Sequence, residues 1–256
     1  MDHGVMLGLA GKRAVVTGGS RGVGRATALL LSRCGADVGV AYRTRQSEAE
    51  SVAAEVRGNG VRSFAYGADL ASAAGAKGLF DTAERELGGV DIFVGNAGIW
   101  PPESVPLAEM TEEQWTRTID ANLTSIFHTI RLAAARVTDG GSIVLVSSTA
   151  GQRGEAFHAD YAASKGAIIS LTKGVAVELA PRDVNVNCVA PGWIDTEMIS
   201  DVVATRGREE IADTIPLGRI ATADDVAGPI IFLCSNLARH ITGEIVNING
   251  GSVLCG

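Results

Sequence analysis

The chain has 256 residues, a formal net charge of −7 at pH 7 and 46% hydrophobic side chains. This length can bury a sizeable core in one α/β domain, and the negative charge excludes a general polyanion-binding surface, so we expect no nucleic-acid partner. No apolar stretch approaches the roughly 18 residues of a membrane span, and the start at Met1–Gly4 lacks the pattern of a secretory signal, so we expect neither a membrane anchor nor export.

Seven short β-branched segments alternate with longer helical segments along the chain. Several of them are apolar at nearly every position, as strands buried on both faces of a parallel sheet are. We therefore predict a Rossmann-type, doubly wound α/β fold: a single domain over residues 1–256, with a seven-stranded parallel sheet and helices on both faces. The predicted strands are 13–17, 37–41, 61–65, 91–94, 142–146, 184–189 and 244–248.

A glycine-rich turn follows the first predicted strand. Residues 17–24 read T-G-G-S-R-G-V-G and lead into an apolar helix. Glycine suits such a turn because the backbone bends sharply and a pyrophosphate approaches the helix N-terminus with no Cβ in the way. The turn predicts a dinucleotide site that includes Gly18, Ser20, Arg21, Gly22, Val23 and Gly24.

The end of the second strand bears on the choice between NAD and NADP. A carboxylate there would bind the 2′-hydroxyl of NAD, but the chain continues Tyr42-Arg43-Thr44 and carries no carboxylate before Glu48. Arg43, together with Arg21 in the glycine turn, favours the 2′-phosphate of NADP. We therefore expect NADP(H) in preference to NAD(H); the alternative is that Arg43 and Arg45 are merely solvated residues at a helix start.

Four polar residues precede the fifth strand. Asp69 follows the third strand, where its carboxylate either caps the next helix or accepts a hydrogen bond from an adenine amino group. Thr111 and Gln114 form a capping-box pattern and predict a helix start. Asn122 lies inside that helix, where its amide competes for backbone hydrogen bonds, so it indicates a polar network or a kink.

Tyr161 and Lys165 are four residues apart at the start of an apolar helix, so their side chains lie on one helix face. A nearby ammonium lowers a tyrosine pKa, as a general acid in ketone reduction or a general base in alcohol oxidation requires. By itself the pair is ordinary helix surface. Ser148, however, ends the fifth strand at the carboxyl edge, where its hydroxyl can donate to a substrate oxygen.

Residues 193–219 do not follow the alternation of strands and helices. This stretch is long for a connection in a compact domain, and long connections are often functional lids. We predict a substrate lid over residues 193–219.

The four cysteines are far apart and show no C-x-x-C spacing, which argues against thiolate metal sites, so we expect no bound metal. Unpaired cysteines are typical of a reducing compartment, and we expect a cytoplasmic protein. The cysteines are Cys34, Cys188, Cys234 and Cys255.

Five features follow one another along the chain: the glycine turn, N-A-G at Asn96–Gly98, the Asn122 helix, Ser148 and the Tyr161/Lys165 pair. In this order, and over residues 9–251, the chain resembles the short-chain dehydrogenase/reductase family, and within it the 3-oxoacyl-acyl-carrier-protein reductases. The resemblance implies that Tyr161 is the general acid/base and that Ser148 steadies the substrate oxygen. It implies that Lys165 lowers the pKa of Tyr161 and binds the nicotinamide ribose, that Asn122 holds a water in the proton relay, and that the protein is a homotetramer.

The resemblance also extends the cofactor site beyond the glycine turn. Thr196 and the backbone of Ile194 are implied to hold the carboxamide. The implied contacts outside the turn are Tyr42, Arg43, Thr44, Asp69, Leu70, Asn96, Ala97, Gly98, Tyr161, Lys165, Pro191, Gly192, Ile194 and Thr196.

Two departures from the family pattern stand out. The family often has N-N-A-G, but here Gly95 precedes Asn96. The 3-oxoacyl reductases dock an acidic carrier with two arginines; Arg182 matches one of them, but Asp139 stands at the other position and would repel such a partner. An acyl thioester and a free small molecule therefore both stay open as substrates.

The substrate pocket is expected to be lined by aromatic and polar side chains near the catalytic tyrosine. The aromatic ones either bind an apolar substrate body or simply pack the core. The expected lining residues are Trp100, Ser148, Gln152, Phe157, His158 and Trp193.

We therefore predict NADPH-dependent reduction of a carbonyl, in a ketone or a 3-oxoacyl thioester, to a secondary alcohol. An alcohol or sugar dehydrogenase that works oxidatively is the second hypothesis, which a preference for NAD would favour. A non-catalytic dinucleotide-sensing protein on the same fold is the third, although such a protein is expected to lose the tyrosine or the lysine.

Overall fold

Residues 7–254 of the chain are described by a computed structural model. The chain start at Met1–Gly4 and Cys255, on which two of the expectations above rest, lie outside the described residues.

The strands of the described residues form one seven-stranded sheet, in the order β3-β2-β1-β4-β5-β6-β7, and every neighbouring pair is parallel. The predicted seven-stranded, doubly wound α/β fold is confirmed. The strands are β1 Arg13–Thr17, β2 Asp37–Tyr42, β3 Ser63–Gly67, β4 Val90–Gly95, β5 Val137–Val146, β6 Asn185–Pro191 and β7 Ile245–Ile248.

The fifth strand begins earlier than predicted. It starts at Val137, which pairs with Val90, and the register shifts before Ser142 pairs with Ile92. The added stretch contains two glycines and an aspartate, so it lacks the apolar pattern that marks a buried strand.

The helices cover both faces of the sheet. A five-residue π-helix, Asp120–Thr124, joins α4 to α5, so the predicted helix around Asn122 is interrupted at that residue. The α-helices are α1 Gly22–Arg33, α2 Gln46–Gly58, α3 Ala73–Leu87, α4 Glu112–Ile119, α5 Ser125–Arg136, α6 Thr149–Arg153, α7 Ala159–Leu179, α8 Ser200–Arg206, α9 Arg208–Asp213 and α10 Ala223–Cys234.

Two apolar cores lie on opposite faces of the sheet, because side chains alternate along each strand. Val16 of β1 packs in the core that contains residues of α1, α2 and α10. Its neighbour Val15 packs in the core that contains residues of α3, α5 and α7. The strand order reverses between β1 and β4, and the carboxyl ends of the strands at such a point form the ligand crevice of this architecture.

Thr111 caps α4, accepting a hydrogen bond from the backbone N–H of Gln114 at 3.1 Å, as predicted. The reciprocal half of the capping box is absent from the described residues. The Gln114 side chain instead donates to Asp160 Oδ2 at 3.4 Å, because α4 packs against α7.

Candidate active site

A cleft of about 380 Å³ lies at the carboxyl ends of the strands, where the strand order reverses. It brings together the glycine turn, the ends of β2 to β6 and the start of the 193–219 segment. Every predicted cofactor residue except Gly24 lines it. Of the four predicted catalytic residues, Ser148, Tyr161 and Lys165 line it, and Asn122 is buried behind its wall.

The glycine turn is packed too closely for side chains. Gly18 has φ of +65°, and a Cβ there would lie 2.9 Å from Ala97 Cα. A Cβ on Gly24 would lie 2.3 Å from the carbonyl oxygen of Gly18. Gly24 therefore packs α1 against the turn rather than lining the cleft, which corrects its predicted place among the cofactor contacts.

Asn96 ties the glycine turn to the end of β4. Its side-chain amide donates to the carbonyl oxygens of Thr17 at 2.9 Å and Gly18 at 3.3 Å. In return, Thr17 Oγ1 accepts hydrogen bonds from the backbone N–H groups of Asn96 and Ala97, both at 3.0 Å. These bonds hold the two strand ends at a set separation on either side of the cleft.

Three arginines surround the end of β2: Arg21, Arg43 and Arg45 all line the cleft. The carboxylate that meets them is Glu197 from the 193–219 segment, a residue that was not predicted from the sequence. Glu197 Oε2 accepts a hydrogen bond from Arg21 Nη1 and lies 3.4 Å from Arg45 Nη2. Within the described residues, Arg43 forms no ion pair. Only the fold could reveal the Arg21–Glu197 contact, because the two residues are 176 positions apart.

Asp69 lines the cleft near the end of β3 and does not cap the next helix. Its Oδ1 accepts from the backbone N–H of Ala71 at 3.0 Å. Ser72 caps α3 instead, accepting from the Gly75 N–H at 3.0 Å. The helix-cap alternative for Asp69 is therefore wrong.

Tyr161, Ser148 and Lys165 meet at the carboxyl end of β5. Tyr161 and Ser148 line the cleft together, and their interaction lowers the pKa of the Tyr161 hydroxyl. The ammonium nitrogen of Lys165 lies 5.8 Å from the centre of the Tyr161 ring and donates to the carbonyl oxygen of Val146 at 2.9 Å. Tyr161 is 9% exposed and Lys165 is 4% exposed, so their polar ends are largely shielded from bulk water.

Burial controls the protonation of this pair. It raises the pKa of Tyr161 to about 12, and the interaction with Ser148 only partly opposes this rise. Burial also lowers the pKa of Lys165 to about 8. Burial sets the net direction of the Tyr161 shift, and the expected lowering of this pKa by Lys165 stays a prediction.

Asn122 is fully buried in the π-helix, in the polar network that its sequence position indicated. Its amide donates to Ile99 O at 2.9 Å and to Ser164 Oγ at 3.1 Å, and its Oδ1 accepts from Ile99 N at 2.7 Å. Asn122 thus fastens the loop after β4, including cleft-lining Ile99, to the helix that carries Tyr161. Its implied role in holding a water stays a prediction.

Three predicted substrate-pocket residues do not line the cleft. The Gln152 amide donates to Asn247 Oδ1 at 2.6 Å, which draws it away. Phe157 has φ of +65°, and its side chain is 56% exposed. The His158 imidazole is buried and stacks on the Trp100 indole, with ring centres 4.9 Å apart.

Trp100 and Trp193 do line the cleft, as predicted for the substrate side. Their rings meet edge to face with centres 6.2 Å apart. The structure adds a carboxylate that the sequence analysis missed, Glu155, which lines the cleft between α6 and α7. Burial raises the pKa of Glu155, while the charge of His158 and the interaction with Trp100 lower it.

The 193–219 segment contains a 3₁₀ turn, Glu197–Ile199, followed by α8 and α9. Its first residues line the cleft, and Ala221, just after the segment, forms a β-bridge with Ile194 near its start. Arg208 of α9 also holds Asp195 through two hydrogen bonds of 2.7 Å. The segment is therefore a folded flap over one side of the cleft, and its action as a lid stays a prediction.

Within the residues that the structure describes, no helix is long and apolar enough to cross a membrane. The same part of the chain contains no group of three or more His, Cys, Asp or Glu side chains that could hold a metal ion.

Residues 18–252 match the family model described as enoyl-(acyl carrier protein) reductase. The 3-oxoacyl-[acyl-carrier-protein] reductase FabG of Staphylococcus aureus is 38% identical over 242 residues, which cover 94% of this chain and 97% of that protein.

Two solved structures are similar over nearly the whole chain. The short-chain dehydrogenase/reductase SDR:Glucose/ribitol dehydrogenase from Brucella melitensis has a TM-score of 0.90 at 35% identity and covers 96% of this chain and 98% of its own. The structure of a short chain dehydrogenase from Burkholderia cenocepacia in complex with NADP has a TM-score of 0.89 at 35% identity. The match covers 95% of this chain and 98% of that chain.

Proposed function

The chain belongs to the short-chain dehydrogenase/reductase family of NAD(P)-dependent oxidoreductases, and we propose that it uses NADPH to reduce a ketone or a 3-oxoacyl thioester to a secondary alcohol. The meeting of Ser148, Tyr161 and Lys165 in one cleft with the glycine turn carries this proposal. A dinucleotide-sensing protein without catalysis has no need for a buried phenol beside a buried ammonium, so we set that hypothesis last.

The residues present fit NADP(H). The glycine turn leaves backbone N–H groups at the start of α1 free of any Cβ, as a pyrophosphate requires. Arg21, Arg43 and Arg45 supply the positive charge that a 2′-phosphate needs at the end of β2, where NAD-binding proteins carry a carboxylate. The similarity to an NADP complex supports the same choice, and the preference over NAD rests on the arginines.

The bound cofactor would supply the hydride, and the chain's own residues handle the proton. Tyr161 donates its phenolic proton to the substrate oxygen, because its raised pKa keeps it protonated at neutral pH. Ser148 donates a hydrogen bond to the same oxygen, where negative charge develops. The Lys165 ammonium stabilises the phenolate left after proton transfer.

A carrier-bound substrate is the less favoured choice. Arg182, which matches a carrier-docking position, donates to Asp139 Oδ1 at 2.8 Å and to the backbone oxygens of Ala134 and Val137, both at 2.5 Å. Its guanidinium is therefore engaged within the chain, and Asp139 adds a negative charge at the same place.

Oxidation of an alcohol or sugar is a second candidate function, because the chain is similar to a protein named glucose/ribitol dehydrogenase. Tyr161 can serve either direction, because the phenol that donates a proton in reduction is re-formed when the phenolate accepts one in oxidation.

We also propose a homotetramer in the cytoplasm. Phe127 on α5 and Val177 on α7 are 48% and 76% exposed, and large apolar side chains exposed on neighbouring helices favour a contact with another copy.

The test is a substrate panel with the purified protein. We expect NADPH oxidation with ketones or a 3-oxoacyl thioester, and a loss of about 10²-fold or more in kcat for Tyr161→Phe. Tyr66→Phe, outside the cleft, is the control and should keep full activity. Turnover that is unchanged in Tyr161→Phe would overturn the mechanism. A strong preference for NADH over NADPH would overturn the cofactor choice.

A further inference from the structure

The substrate side of the cleft contains one acidic side chain that the proposed proton transfer does not use. Glu155 lies in the loop between α6 and α7, and its side chain is 24% exposed. Glu155 lines the same cleft as Tyr161, Trp100 and Trp193.

Two aromatic side chains act on Glu155. His158 Nδ1 lies 3.8 Å from Glu155 Oε1, and Trp100 helps to lower the pKa of Glu155. The backbone N–H of His158 donates to the Glu155 carbonyl oxygen at 3.3 Å. Because the His158 and Trp100 rings stack at 4.9 Å, the two groups that act on the carboxylate also contact each other.

A carboxylate whose side chain is only 24% exposed is costly unless it gains hydrogen bonds. Its two oxygens can accept several of them. Glu155 lines the cleft, where a bound substrate would lie.

We infer that Glu155 is a specificity residue that accepts a hydrogen bond from a substrate hydroxyl next to the carbonyl, so that the enzyme prefers hydroxyketones to unsubstituted ketones and acyl chains. The inference rests on the proposed function, since it names the substrate class for the same cleft. The apolar rings of Trp100 and Trp193 would pack against the carbon skeleton of the substrate, and Glu155 would accept a hydrogen bond from the substrate hydroxyl.

Charge decides between a hydroxyl and an ammonium as the donor. Arg153 and Lys165 line the same cleft as Glu155, so positive groups already offset its negative charge. A cationic substrate would meet these two groups as well and be repelled. A neutral hydroxyl gains the hydrogen bond without that repulsion.

The test compares two ketones of nearly equal shape, 2-hydroxycyclohexanone and 2-methylcyclohexanone, with NADPH and the full-length enzyme. We expect wild-type kcat/KM to favour the hydroxyketone by about tenfold or more, because one charge-assisted hydrogen bond is worth that much. Glu155→Leu should reduce the preference to about one by lowering kcat/KM for the hydroxyketone alone. Glu155→Gln, which keeps the size and one acceptor oxygen, should lie between the two.

Glu113→Gln, at an exposed position on α4, is the matched control and should leave both rates unchanged. An equal loss for both ketones in Glu155→Leu and Glu155→Gln would mean a purely structural role and overturn the inference. So would a preference that neither substitution alters. A wild-type enzyme inactive on every carbonyl tested contradicts the proposed function itself, whereas activity with no effect of Glu155 on selectivity contradicts only this assignment.

Discussion

The ammonium of Lys165 lies 5.8 Å from the centre of the Tyr161 ring, and both side chains are almost completely buried. The same cause moves their pKa values in opposite directions, because burial disfavours the charged form of each group. The pKa of Tyr161 rises to about 12 and that of Lys165 falls to about 8. Near neutral pH the pair therefore holds both protons, the state that reduction needs.

Ketone reduction should slow as pH rises through about 8, because Lys165 then loses the charge that stabilises the tyrosinate. Tyr161 itself should add no loss in this range, since its pKa is about 12. The measurement is kcat against pH at saturating NADPH and substrate. Lys173→Met, an exposed site on the same helix, should keep the profile, and constant activity to pH 10 would contradict the assignment.

Unfolding should not cause that loss. The pKa of Lys165 is lower in the folded state than its ordinary 10.5, so the unfolded chain binds more protons between about 8 and 10.5. This group therefore makes folding more favourable as pH rises through that window. Melting temperatures recorded at each pH serve as the control, and a melting temperature that falls together with kcat would point to unfolding instead.

Glu197→Gln should tighten NADPH binding by about two- to fivefold, because the carboxylate competes with the 2′-phosphate for Arg21 and Arg45. NADH, which lacks that phosphate, should bind with unchanged affinity. Fluorescence titration of both nucleotides measures the difference. Glu210→Gln, which removes the surface pair with Arg206, is the control, and an equal effect on NADH and NADPH would rule out competition at the phosphate.

Asn122→Ala should lower the free energy of unfolding by about 2–5 kcal/mol, because it leaves both backbone groups of Ile99 without their partner. KM should rise as well, since Ile99 lines the cleft. Urea unfolding measures the first effect, with Asn236→Ala at an exposed position as the control. A loss below about 0.5 kcal/mol would show that the loop is held by other contacts.

Asp91→Asn should destabilise the fold at neutral pH by about 1–3 kcal/mol. Asp91 accepts hydrogen bonds from Arg13 Nε at 2.7 Å and Thr138 Oγ1 at 2.6 Å, and these bonds outweigh burial and lower its pKa to about 2. The folded pKa is below the ordinary 3.8, so this stabilisation is present above pH 4 and is lost as pH falls toward 2.

Urea unfolding of wild type and Asp91→Asn at pH 7 and at pH 3 measures this dependence. The difference between the two proteins should shrink at the lower pH. Asp139→Asn, in an exposed pair with Arg182, should cost much less, and equal costs for the two substitutions would contradict the ranking.

Local pattern was sufficient to predict the sheet, the dinucleotide turn and the order of the catalytic side chains. Apolar runs such as Val15-Val16 mark strands because burial on both faces demands them, and Thr17–Gly24 predicts its turn because only glycine allows the close backbone approach. These features depend on neighbours in the chain, so the sequence by itself carries them.

The tertiary structure alone decided which distant side chains meet. Glu197 reaches Arg21 across 176 positions, and Glu155 enters the cleft while its neighbour Phe157 faces solvent. It also decided the protonation of Tyr161 and Lys165, because the desolvation that shifts their pKa values depends on surrounding atoms from many parts of the chain. The spacing in the sequence places a lysine beside a tyrosine, but only the packing determines how far each side chain is exposed to solvent.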